Sequence, residues 1–135
     1  MSKRHEARMV VLQALYEADS SAHDLIKVLS RSITETKMGV EESKFAQELI
    51  SGIQEHSFAI DSQIQSHASA WPIDHMAIID RNILRLAIYE LLHNNEVPVR
   101  VVINEAVELA KEFGADSSPR FINGVLNSVS KSVTR

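Results

Sequence analysis

The chain contains no cysteine, so disulfides, thiolate metal sites and cysteine nucleophiles are all excluded. Glycine (4) and proline (3) are scarce in 135 residues, too few to supply the turns of a sheet protein. No apolar run reaches the roughly 18 residues that a membrane-spanning helix needs. The opening stretch, MSKRHEARMVVLQALYEAD, carries charges through its apolar positions, unlike a secretory signal, so a cytoplasmic location is expected. Catalytic signatures are missing too. There is no glycine-rich phosphate loop and no GxSxG context, and the histidines at 5, 23, 56, 67, 75 and 93 form no HExxH or close pair. Neither an enzyme nor a metal or cofactor site is expected.

What is present is helical spacing. Apolar residues make up 44% of the chain, enough to fill a core, and they recur at three- and four-residue intervals. The pattern predicts an all-α fold of about seven helices. They cover about Lys3–Ala18, Ala22–Thr36, Glu41–His56, Phe58–Ala68, Asp74–His93, Val99–Phe113 and a last one opening at Ser117 or Ser118, with Pro119 in its first turn. Asp19-Ser20-Ser21 is expected to end the first helix and cap the second. Gly39 fits the position past the second helix's C-terminus, and Gly114 the position past the sixth. The fifth helix is apolar nearly all round and is expected at the centre. Trp71-Pro72 breaks the fourth and marks a seam between helices one to three and five to seven. Ile83 and Leu126 are expected to be almost fully buried.

Charge is unevenly spread. The net charge is −4, yet residues 1–16 carry +2 and residues 117–135 carry +3, around an acidic middle. Basic ends on an acidic protein fit a local polyanion site, although short solvated termini give the same pattern. Arg4, Arg8, Val11 and Leu15 share one helix face, so the apolar stripe continues outward as two arginines at the rim of the core, where phosphate can approach. The plainer reading has them lying over apolar surface and pairing with acids. Phe121, between the polar Arg120 and Asn123, is an edge aromatic able to stack on an unpaired base or to cap the core. Asp80 and Glu90 lie in or near the fifth helix's inward arc. Two such acids are able to serve catalysis, but they are read first as partners for arginines of the bundle or as acids facing a protein. Tyr16 lies off the Val11/Leu15 stripe, on the side of Met9 and Leu12.

Four segments, RHEARMVVLQALYEAD, DRNILRLAIYEL, PVRVVINEAVELAKEFG and FINGVL, occur in order across nearly the whole chain. Together they resemble the NusB family of bacterial transcription antitermination factors. The resemblance implies one RNA-binding domain over 1–135, built of two three-helix bundles (about 1–70 and 71–135) with a bridging helix. It implies binding to the single-stranded boxA element of ribosomal RNA leaders, pairing with NusE, and assembly with NusA, NusG and RNA polymerase. The residues expected to contact RNA are Lys3, Arg4, Arg8, Arg120 and Phe121, gathered on one surface; those expected to contact NusE are Tyr16 and Asp80. Many members carry a denser N-terminal arginine cluster, so RNA binding here is expected to lean on the partner. The alternative is a helical protein-interaction module with little RNA affinity of its own. A third reading, the targeting domain of an RNA cytosine methyltransferase, shares this helical fold by resemblance but needs a much longer chain with a separate cofactor-binding α/β domain.

Overall fold

The computed structural model describes residues 3–68, 70 and 72–133, and among these there are seven α-helices and no strand. They are α1 (Lys3–Ser21), α2 (Leu25–Thr36), α3 (Val40–Glu55), α4 (Ser57–His67), α5 (Ile78–His93), α6 (Val99–Phe113) and α7 (Ser118–Ser130). Helices α1–α3 pack on one another, as do α5–α7. The two groups join along α1 and α5, and one continuous apolar core runs through both. The fourth helix does not bridge them evenly. It lies mainly against α5 and α7 and touches α3 only near their shared turn at His56. Trp71, the residue marked as the seam, lies outside the described residues. None of the helices among the described residues is long and apolar enough to cross a membrane.

The fifth helix is central, as its apolar arc demands, packing against α1, α3, α4, α6 and α7. Ile83 and Leu126 are both completely buried. The sixth helix starts directly after Pro98, whose fixed φ suits a helix entry, and ends at Phe113. Gly114 follows with φ −95°, so it is not a left-handed cap. Its lack of a side chain matters for space: a Cβ there would stand 2.6 Å from the Ser118 side chain and 2.8 Å from the Ala110 carbonyl.

Several boundaries differ from the sequence reading, each for a local reason. Helix α1 runs through Asp19-Ser20-Ser21 and stops at Ala22, which is left-handed at φ 58°. Asp24, and not the Asp19-Ser20-Ser21 segment, caps α2, its carboxylate accepting the Ile26 N–H at 3.0 Å. The left-handed residue after α2 is Lys37 (φ 52°), whose N–H donates back to Thr34. Gly39, at an ordinary φ of −68°, precedes α3 instead. The segment before α5 is a separate 3₁₀ turn, Ile73–His75, followed by extended Met76, whose buried side chain plugs the core. Arg81 Nη1 donates to the Ile73 and Asp74 carbonyls at 3.4 Å and fixes that turn.

Asp19 is freed from capping to act as a hub. Its carboxylate accepts from Arg81 Nε and Nη2 (2.8 Å each), Asn82 Nδ2 (2.9 Å) and Arg85 Nη1 (2.9 Å). Arg85 also donates to Asp61 of α4 at 2.9 Å. The hydrogen bonds from Arg81 hold the Asp19 pKa down at about 2, outweighing burial. The carboxylate therefore stays charged throughout the neutral range, and α1, α4 and α5 remain cross-linked.

Candidate nucleic-acid and partner interface

Two contacts fix the geometry of the candidate residues. Arg8 pairs with Glu90, and Asp19 with Arg81 and Arg85, so α1 and α5 run antiparallel. The first turn of α1 therefore lies beyond the middle of α5 towards its C-terminal end, and the last turn of α1 lies at the start of α5.

At the first end, α3 serves as a rail. Its Glu42 and Phe45 are three residues apart and share a face. Lys3 Nζ sits 3.6 Å from a Glu42 oxygen, while the Arg4 guanidinium carbon lies 4.6 Å from the centre of the Phe45 ring. Arg4 is exposed, and among the described residues no carboxylate pairs with it. Cations in a helix's first turn oppose its macrodipole, so helix stability does not account for an arginine here.

Arg8 corrects the sequence reading. Helical spacing places it at the rim with its guanidinium open to phosphate, but it is only 3% exposed. Its Nε and Nη2 donate to Glu90 Oε2 and Oε1 at 2.9 and 2.8 Å, a bidentate pair inside the core. The stripe through Val11 and Leu15 continues inward at this point because α5 presents Glu90 to that face. His5 is also buried, with Nδ1 2.5 Å from Glu105 and Nε2 3.8 Å from Glu112, both on α6. Of the three N-terminal cations, Arg8 is buried, while Arg4 and Lys3 are exposed, Lys3 with a loose 3.6 Å contact to Glu42.

At the other end, two grooves flank the start of α5. One, of about 680 Å³, is lined by Gln13, Tyr16, Glu17, Ile78, Ile79 and Phe113 among others. Tyr16 is 43% exposed there, a large aromatic open to a partner. The other, of about 630 Å³, is lined by His75, Met76, Asp80, Ser117, Arg120 and Phe121, and the two meet at Ala77. Asp80 is half-buried and accepts the Ser118 hydroxyl at 2.7 Å, while the same Ser118 oxygen accepts the Ala115 N–H at 3.0 Å. So Asp80 anchors the start of α7, a tie to a serine where an arginine was expected. Arg120 is exposed at the rim, and Phe121 is half-buried against the core.

The fold thus brings Tyr16, Asp80, Arg120 and Phe121 around one helix start. It does not bring Lys3 and Arg4 to that groove. From Asp80 to Glu90 and from Arg8 back to Arg4 the helices rise about 20 Å in all, at about 1.5 Å per residue. Lys3 and Arg4 therefore form one patch and Arg120 with Phe121 another, one at each end of the α1–α5 pair. Phe45 lies among the inward-facing apolar residues of α3, and its ring also seats Arg4. No local signal marks it.

The model of the NusB family matches residues 5–131 of the chain. A transcription antitermination protein NusB from Dehalococcoides mccartyi is 52% identical over 132 residues, covering 98% of this chain and 92% of that one. One from Chloroflexus aggregans is 44% identical, covering 95% and 87%. Among solved structures, T. maritima NusB superposes with a TM-score of 0.93 at 33% identity, covering 100% of this chain and 95% of that one. A chain from a crystal structure of the antitermination factors NusB and NusE in complex with double-stranded RNA superposes with a TM-score of 0.89 at 26% identity, covering 98% of each.

Proposed function

From the premise that the chain belongs to the NusB family, we propose that it binds the single-stranded boxA element of ribosomal RNA leaders jointly with NusE. The complex then joins RNA polymerase together with NusA and NusG in the cytoplasm, and the chain contributes binding rather than catalysis. It works as one RNA-binding domain whose helices group as bundles over about 1–70 and 71–135. The observation that carries the RNA reading is Arg4, a displayed guanidinium in the first turn of α1, where helix stability alone would not put it. Support for joint RNA binding comes from the related chain crystallised with NusB, NusE and double-stranded RNA.

In this reading Lys3 and Arg4 hold phosphates at one end, while Arg120 and Phe121 hold a phosphate and a base at the other. An RNA engaging both must span about 20 Å, which is about six nucleotides at the 3.4 Å stacked spacing. With Arg8 buried, only Lys3 and Arg4 of the N-terminal cations face solvent at the first end. That favours binding that depends on NusE, which we assign to the groove of Tyr16 and to neighbouring Asp80.

Tyr16→Ala is expected to lose at least about 2 kcal/mol of NusE affinity by calorimetry, the signature of an aromatic hot spot. Asp80→Ala is expected to weaken NusE binding as well, and is read against its melting curve because the substitution also releases Ser118. Unchanged NusE affinity for both variants, with folding intact, removes NusE from this face and leaves Asp80 as a structural acid.

A further inference from the structure

We propose that Phe45 is a positioning residue for RNA binding: its ring seats the Arg4 guanidinium and holds it ready for a phosphate. The inference rests on the reading of Arg4 given above and extends it to a residue buried in α3.

The geometry has three parts. The Phe45 ring is only 8% exposed, so it is fixed among core side chains. A second guanidinium, that of Arg8, lies 5.2 Å from the ring centre and is itself pinned by the bidentate pair with Glu90. The exposed Arg4 guanidinium lies 4.6 Å from the same centre. An aromatic face attracts a cation without using its N–H groups, whereas a carboxylate partner consumes them. The neighbouring acid on this rail, Glu42, is engaged with Lys3. Arg4 is therefore held in place with its donors uncommitted, which suits bidentate phosphate recognition. Pre-seating the side chain also lowers the entropy lost when a phosphate is bound.

The test is a double-mutant cycle on binding of a labelled boxA-type RNA with NusE at saturation. Arg4→Ala is expected to weaken binding. Phe45→Leu is expected to weaken it about two- to five-fold, the range of an exposed cation–π contact, and Phe45→Tyr to restore it. In the Arg4→Ala background, Phe45→Leu should have no further effect. Thermal unfolding followed by circular dichroism checks each variant. If Phe45→Leu loses its helical signal, Phe45→Met repeats the cycle with an unbranched, gap-filling side chain. An equal loss from Phe45→Leu in both backgrounds overturns the proposal, since a purely structural residue acts regardless of Arg4. No loss in the parent background also overturns it. If Arg4→Ala itself binds RNA like the parent, the reading of Arg4 fails as well, and that outcome is distinct from the other two.

Discussion

Glu90→Ala is expected to destabilise the protein by about 3–5 kcal/mol, because it leaves the Arg8 cation buried without its bidentate acceptor. Arg8 and Glu90 are 3% and 2% exposed, so water does not replace the lost carboxylate. The nearest other carboxylate to Arg8 is that of Glu105, at 3.9 Å from Nη1, too far for a good hydrogen bond. The pair is not itself a large net source of stability, since burying both charges costs nearly what their attraction returns. Replacing both at once, Arg8→Met with Glu90→Leu, is therefore expected to recover most of the loss. Urea denaturation of the two variants measures both effects. A loss under about 1 kcal/mol in Glu90→Ala would mean that the pair is solvated.

Ile83→Ala is expected to cost about 2–5 kcal/mol, from lost transfer energy plus the cavity left where the core cannot collapse. Ile83 is fully buried on α5, which touches five other helices, so no single neighbour can move to fill the space. Phe58 makes the contrast: at 87% exposure on α4, its truncation should change stability by less than about 0.5 kcal/mol. The same denaturation experiment reads both, and equal costs would contradict the arrangement of the core.

The contrast between Arg8 and Arg4 marks how far the sequence could be read. Periodicity found every helix, and α6 to the residue, because Pro98 and Gly114 bracket a clean apolar stripe. Local chemistry failed where the deciding partner is distant. Arg4 and Arg8 look alike on their helix, and only Glu90, 82 residues on, makes one of them internal. Asp19 reads as part of a segment that ends one helix and caps the next, but it is claimed by Arg81, Asn82 and Arg85, more than 60 residues away. Gly52 drew no notice inside α3, yet a Cβ there would stand 2.1 Å from the ring of Tyr89, so the residue is needed for α3 and α5 to approach. For the candidate site, the residue types were legible and their grouping was not. Tyr16 and Asp80 share one end of the α1–α5 pair with Arg120 and Phe121, which is set by antiparallel packing rather than by any motif.

If the displayed cation at the start of α1 binds RNA phosphate in a complex with NusE, as proposed, the salt dependence of RNA binding shows it most directly. Each phosphate contact on a single strand contributes a slope of about −0.7 to log affinity against log salt. With NusE at saturation, Arg4→Ala should bind boxA-type RNA more weakly and with a slope shallower by about 0.7, whatever the base sequence. The core replacement Arg8→Met with Glu90→Leu should keep the parental slope. A parental slope and affinity in Arg4→Ala, or a shallower slope in the core replacement, would contradict the account.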